Sequence, residues 1–277
     1  MLFVYTKLEE LSIILITLGA PIGAGKSSLC QILSEQLGTK AFYEPVSDNP
    51  VLPLFYKGNE IAAKKRAAGD SDATNPYAYL LQTFFLNRRF SMIKQAMQED
   101  NNVLDRSIYE DALFMEMNVD MGNATEIEYG VYKNLLDNMM EEYPLFSPGK
   151  KAPDLMVMIH VSYETMIKRI KKRGRKFEQI ETDPSLKEYY QNLLKYYARW
   201  EKSYDISPLL IIDGDKYDFM ENLDDRKSVL TQIYDKLLQV GSINEERHAE
   251  LIDSLNDLQL TDHMGEYDTD TQEPVTE

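Results

Sequence analysis

One stretch constrains this chain more than any other. An apolar, β-branched run at 12–18 leads into Gly19-Ala-Pro-Ile-Gly-Ala-Gly25-Lys26-Ser27-Ser28. Apolar side chains then recur at helical spacing (Leu29, Ile32, Leu33, Leu37) up to Gly38. A buried strand that turns through glycines straight into a helix is the setting of a phosphate-binding loop. The composition follows from the chemistry. Backbone N–H groups must approach phosphate oxygens closely, and Gly23 and Gly25 remove the Cβ that would obstruct them. The helix that follows turns its positive end toward the anion. Lys26 has the reach for β- and γ-phosphates, and the Ser27 hydroxyl is a Mg²⁺ ligand. Ala20, Pro21, Ile22, Gly23, Ala24, Gly25, Lys26, Ser27 and Ser28 are therefore the expected ATP-binding segment. Ala20 replaces the first glycine of the usual pattern, with Gly19 just before it.

The rest of the chain alternates in the same way. Strands are expected at 12–18, 41–43, 102–104, 155–159 and 209–212. Helices are expected at 26–37, 76–98, from 109 onward, and at 126–140, 163–172, 184–200 and 225–240. The strands are too uniformly apolar for a sheet with one wet face. The expected fold is α/β: a parallel sheet of about five strands with helices on both faces. One domain over 1–241 fits the 277 residues better than two. Residues 57–75 are polar and rich in Gly and Ala, and read as a mobile inserted loop. Residues 1–11 read as an N-terminal extension.

Charge sets limits on partners. The formal net charge is −16, and residues 242–277 hold eleven acidic side chains against one basic one, Arg247. That segment is expected to be a disordered acidic tail, in which Leu251, Leu255 and Leu258 form at most a turn or two of amphipathic helix. An acidic chain of this kind is not expected to coat nucleic acid. Its longest apolar stretch, 11–24, is short for a membrane span and broken by proline and glycine. The start of the chain lacks the basic region of a signal peptide. A single cysteine, Cys30, excludes an internal disulfide framework. The expected setting is the cytoplasm, without membrane or nucleic-acid partners.

Three features narrow the chemistry beyond nucleotide binding. Glu44 follows the second strand, and ligands of open α/β sheets bind at the carboxyl ends of strands. A carboxylate there is placed to take a proton from a hydroxyl attacking the γ-phosphate. Asp105-Arg106-Ser107 follows the third strand: Asp105 is a candidate for holding Mg²⁺, and Arg106 for bracing the acceptor oxygen, the alternative being a structural ion pair. The run Arg169-Ile-Lys-Lys-Arg173-Gly-Arg175 is either a solvated basic face or a lid whose arginines neutralise a phosphoryl group.

Together these segments resemble the deoxyribonucleoside kinase family. The likeness is carried by Gly-Ala-Pro-Ile-Gly-Ala-Gly-Lys-Ser-Ser, Tyr-Glu-Pro-Val, Leu-Gln-Thr-Phe-Phe, Asp-Arg-Ser-Ile-Tyr-Glu-Asp and Arg-Ile-Lys-Lys-Arg-Gly-Arg, in order from about 13 to 238. The stretches 48–56 and 105–114 look most like the bacterial deoxyadenosine/deoxyguanosine branch. The resemblance implies a P-loop kinase fold with an arginine-rich lid. It implies transfer of the γ-phosphoryl group of ATP, with Mg²⁺, to the 5′-hydroxyl of a deoxynucleoside.

On this resemblance Glu44 is the general base, and Arg106 lies near the 5′-oxygen. Asp105 helps hold the metal, and Arg169, Arg173 and Arg175 are the lid arginines. Gln82 reads the base, and Asp111 is a base-proximal carboxylate that pairs with Arg106. Tyr56 and Glu178 bind the sugar 3′-hydroxyl, with Tyr77 or Tyr79 as alternatives to Tyr56. Asp213 and Asp215 lie where adenine is sensed. The family's dimers imply a homodimer through 126–140, which carries two apolar stripes, or a heterodimer with a paralogue.

Two rivals stay open at this stage. A thymidylate-type monophosphate kinase shares the loop and lid but needs a positive acceptor pocket, and 43–56 contains no arginine. A non-catalytic nucleotide-binding regulator would have no use for Glu44, Asp105, Arg106 and three lid arginines. Between purine and pyrimidine nucleosides the branch resemblance favours purines.

Overall fold

The computed structural model describes residues 14–43, 49–96, 101–146 and 152–260. Five strands form one parallel sheet: β1 (Leu15–Gly19), β2 (Lys40–Phe42), β3 (Asn102–Asp105), β4 (Leu155–His160) and β5 (Leu209–Asp213), in the order β2-β3-β1-β4-β5. β1 lies at the centre, with Ile16 beside Val103 on one side and Leu155 on the other. All five residues of β1 are buried. A strand covered on both faces has no use for alternation, as its continuous apolar run foretold.

The helices are α1 (Lys26–Leu37), α2 (Leu52–Ala67), α3 (Ala78–Ala96), α4 (Asp111–Asp120), α5 (Glu126–Phe146), α6 (Tyr163–Arg173), α7 (Leu186–Ser203), α8 (Leu223–Gln239) and α9 (Glu245–Ser254). One apolar core joins β1 and β4 to α1, α8 and α9; a second joins the sheet's other face to α3, α4 and α5. None of the described helices is long and apolar enough to cross a membrane.

Two expectations are corrected. Residues 57–67 are not loop but the continuation of α2, which starts with a proline in its first turn and ends with Lys64, Lys65 and Arg66. Cations in a last turn favour a helix through its dipole. Gly58 does not break α2, because Asn75 packs where a side chain would stand: a Cβ there would lie 2.0 Å from Asn75 Oδ1. The Asn75 amide donates to Phe55 O (2.8 Å) and Asn59 Oδ1 (2.6 Å), so the helix is bolted to the loop that follows it. That loop is held in turn by Arg66, whose Nε donates to Ala73 O at 2.9 Å.

The second correction concerns the acidic C-terminal segment. Its first part is α9, capped by the Asn244 side chain on Arg247 N, and Leu251 and Leu255 are 2% and 6% exposed against the core. The acidic count conceals a one-sided apolar stripe that fits the groove beside α8. Residues 261–277, like 1–13, lie outside the described residues.

The two stripes of α5 have different fates. Tyr132 and Leu136 are buried, whereas Ile127 and Val131 are 80% and 52% exposed. Leu135 and Met139 of that second stripe are partly covered by the core.

The docking of α9 is testable by equilibrium denaturation. Leu251→Ala is expected to cost about 3 kcal/mol, as for a buried leucine that leaves a cavity. An unchanged unfolding free energy would return 245–260 to the solvent.

Candidate active site

The loop between β1 and α1 is built by two left-handed glycines, Gly23 (φ 76°) and Gly25 (φ 94°). Neither tolerates a side chain. A Cβ on Gly23 would stand 2.8 Å from Ile170 Cγ1 and 3.1 Å from Met166 O of α6, and one on Gly25 would meet the Phe219 ring at 3.0 Å. Gly25 caps α1 without any side-chain hydrogen bond, and the first turn of α1 holds no acidic residue. The N–H groups of that turn are therefore left for an anion.

Lys26 and Asp105 form an ion pair in which both side chains are almost fully buried. Ser27 Oγ donates to the other carboxylate oxygen at 2.7 Å. The parallel register sets Asp105 beside Leu18 at the carboxyl edge of the sheet, which is why the last residue of β3 meets the start of α1. A hydroxyl and a carboxylate sharing one corner are hard oxygen donors that fit Mg²⁺. Among the described residues no three acidic, His or Cys side chains cluster as a metal cage.

A cavity of about 1300 Å³ opens in front of this loop. Its walls include the loop itself, Tyr56 of α2, Gln82 and Arg89 of α3, Arg106, and the α6–α7 segment with Arg169, Arg173, Arg175 and Glu178; the β5–α8 segment closes one end. The structure thus brings together most of the sequence-predicted residues. Glu44 lies outside the described residues, although Tyr43 just before it lines the cavity.

The base-proximal end departs from expectation. Asp111 was expected to pair with Arg106; instead both of its oxygens take the Arg89 Nε hydrogen bond, at 3.0 and 2.9 Å. Arg89 and Asp111 are 3% and 1% exposed. Arg89 was missed, yet it stands seven residues after Gln82, on the same face of α3. Gln82 is itself 8% exposed and lines the cavity.

Arg106 has φ 105°, a backbone that non-glycine residues rarely adopt. Its Nη1 donates to Tyr197 Oη at 3.0 Å and lies 3.5 Å from Glu110 Oε1. Tyr197 donates in turn to Glu110 at 2.6 Å. Glu110 is fully buried, and its second oxygen accepts from Ser107 N at 2.8 Å. This is a capping box, and the pattern Ser-x-x-Glu at 107–110 was the unread signal for it. Burial, then the neighbouring Glu110 charge, push the Tyr197 phenol well above its ordinary value, so it stays a neutral donor.

The lid arginines divide into two roles. Arg169 Nη1 donates to Ala24 O (2.9 Å) and its Nη2 to Gly214 O (2.8 Å), tying the phosphate loop to the β5–α8 segment. Arg173 and Arg175 both turn to Glu178, which is 5% exposed. Partial burial, then the neighbouring Tyr189 and Glu178, raise the Tyr56 phenol above its ordinary value, although the side chain is 38% exposed at the cavity wall. Tyr77 and Tyr79 are not among the residues that line the cavity, whereas Tyr56 is, and Tyr190 donates to Glu178 O at 2.9 Å.

Asp213 and Asp215 have backbone duties. Asp213 accepts from the N–H groups of Asp215 and Lys216, and Asp215 accepts from Ser162 N at 3.0 Å where α6 begins. Asp215 lines the cavity; Asp213 is not among its lining residues.

Known proteins are similar to this chain in sequence and fold. The family model described as deoxynucleoside kinase matches residues 16–239. A deoxyguanosine kinase of Lactobacillus acidophilus is 58% identical over 228 residues, 82% of this chain and 92% of that protein. A deoxyadenosine kinase of the same organism is 54% identical over 228 residues, 82% of this chain and 98% of its own length. The structure of a deoxyadenosine kinase from M. mycoides with products dCMP and a flexible dCDP bound superposes with a TM-score of 0.60. It is 28% identical and covers 83% of this chain and all of that one. With a family match across the whole sheet, the phosphate loop and the lid, the chain belongs to the deoxynucleoside kinase family.

Proposed function

We propose that this kinase phosphorylates the 5′-hydroxyl of deoxyguanosine, deoxyadenosine or both, with ATP as donor, in cytoplasmic nucleotide salvage. The observation that carries the acceptor class is the pairing of charge at the acceptor end. Arg89 is matched by Asp111, and Arg106 by Glu110. An anionic acceptor would call for uncompensated cations there; a neutral nucleoside does not. The purine preference is supported by relatives at 54–58% identity named for deoxyguanosine and deoxyadenosine. A pyrimidine reading has two observations in its favour: the dCMP in the M. mycoides deoxyadenosine kinase structure, and a Bacillus subtilis relative, 28% identical over 221 residues, named deoxyadenosine/deoxycytidine kinase.

In this reading the α1 N-terminus and Lys26 hold the β- and γ-phosphates. Ser27 and Asp105 hold Mg²⁺, which supplies charge neutralisation at the phosphoryl oxygens. Glu44 takes the proton from the 5′-hydroxyl, and Arg106, oriented by Tyr197 and Glu110, braces the attacking oxygen. Arg173 and Arg175 exchange Glu178 for the γ-phosphoryl group as substrates enter, which leaves Glu178 and Tyr56 for the sugar 3′-hydroxyl. Gln82 presents a donor and an acceptor to the base edge. Asp111 holds Arg89 against it, and the segment with Asp213 and Asp215 faces the adenine of ATP. Ile127 and Val131 on α5 form the contact of a homodimer, or of a heterodimer with a paralogue. Sedimentation at micromolar concentration tests that contact, and Ile127→Asp is expected to give monomers.

Initial rates with deoxyguanosine, deoxyadenosine, deoxycytidine and thymidine, with ATP and Mg²⁺, test the substrate class. Faster turnover of the two purines is expected; preference for deoxycytidine would overturn the purine reading and leave the chemistry. Glu44→Gln is expected to lower kcat by about 10²–10⁴-fold at unchanged ATP affinity; full turnover would remove Glu44 as base. Asp111→Asn takes the bidentate carboxylate from a buried guanidinium. It is expected to cost about 3 kcal/mol of stability and to raise the nucleoside KM, read by denaturation and steady-state kinetics.

A further inference from the structure

Arg226, near the start of α8, is 1% exposed, and among the described residues no carboxylate forms an ion pair with it. Its guanidinium donates to three backbone carbonyls: Phe219 O (2.8 Å), Met220 O (3.2 Å) and Gln259 O (3.1 Å). A buried cation satisfied by carbonyls alone fixes those carbonyls, since each would otherwise leave a charged donor unmet. Two of the three belong to the β5–α8 segment that closes the donor end of the cavity. The Phe219 ring packs against Gly25, the residue that starts α1. The third carbonyl belongs to the chain after α9, beyond the region that matches the family model. That chain is anchored elsewhere by Leu251 and Leu255 in the core, and by Arg247 Nη2 on Leu37 O at 3.2 Å.

We infer that Arg226 is a positioning residue for ATP, and that residues 243–260 act through it as a brace behind the donor-site segment. The inference rests on the reading of that segment as the adenine side of the site. Arg169 holds the segment from the phosphate-loop side and Arg226 holds it from behind. Loss of the rear hold frees Phe219 from Gly25 and loosens the surface on which the nucleotide lies. Among the described residues no hydrogen bond of Arg226 reaches the acceptor end, built by α3, α4 and α7, so that end is not disturbed.

The experiment measures KM for ATP and for deoxyguanosine separately in full-length Arg226→Gln, Arg226→Lys, Leu255→Ala and the double variant Arg226→Gln/Leu255→Ala, at a temperature where all are folded. Arg226→Gln is expected to raise KM for ATP about tenfold, while kcat at saturating ATP and KM for deoxyguanosine stay within about twofold. Arg226→Lys keeps a cation but not the fork, and falls between. Leu255→Ala shifts KM for ATP in the same direction, and the double variant shifts it no further than Arg226→Gln alone, because both act through one brace. Parallel rises in both KM values, or an ATP curve that no variant moves, would overturn the inference. Should Arg226→Gln not fold, the lysine and Leu255 variants decide by the same split. Absence of ATP saturation in the unsubstituted enzyme is a separate outcome and would overturn the donor-site reading itself.

Discussion

A buried lysine and a buried aspartate meet where β1 and β3 end, and the rest of the site is arranged around that meeting. Lys26 is committed to the start of α1 by the two left-handed glycines before it, and Asp105 to the same corner by its register with Leu18. Taking both charges out of water is costly unless they pair and their other bonds are met. Here Ser27 satisfies the second carboxylate oxygen. The junction therefore joins the phosphate loop to the strand that carries Arg106. In the proposed reading a phosphate at α1 would compete for Lys26, and a cation at Ser27 for Asp105.

Around this junction the protein handles its other arginines in two ways. Near the acceptor they are matched by carboxylates, Arg89 with Asp111 and Arg106 with Glu110, so little net charge faces a nucleoside. Around the donor they are spent on backbone carbonyls: Arg169 on Ala24 and Gly214, Arg226 on Phe219, Met220 and Gln259. Carbonyl-bound guanidinium groups keep their positive charge, and at Arg169 this leaves a favourable field near a polyphosphate. Arg173 and Arg175 form a third case, both paired with Glu178. The same residue type thus sets a neutral end and a positive end within one cavity.

The sheet was legible because a doubly covered parallel strand must be apolar, a demand that the buried runs of β1 and β4 meet; the edge strands β2 and β5 are partly exposed. The phosphate loop was legible because its glycines have no alternative chemistry. What escaped reading depended on contacts distant in sequence. Residues 57–67 read as loop because the stretch is polar and contains Gly58, although its alanines and lysines are good helix formers. The Asn75 side chain that needs Gly58 lies beyond the helix's own window. α9 was hidden by its acidic face, since a leucine pair among acids is decisive only when α1 and α8 provide a groove. Arg89 was missed because its Asp111 partner comes from another helix, and the Arg106–Asp111 pair was expected from the resemblance alone. Glu110 was readable in principle from its Ser-x-x-Glu spacing.

The central claim is that the acceptor end receives a neutral nucleoside at its 5′-hydroxyl. The most direct measurement is ³¹P NMR of one reaction holding ATP, Mg²⁺, deoxyguanosine and its 5′-monophosphate in equal amounts. The account predicts that the 5′-monophosphate resonance grows as the ATP γ-phosphate signal falls. Growth of the diphosphate at the expense of the monophosphate would contradict it. The paired arginines would then have to part to admit an anion.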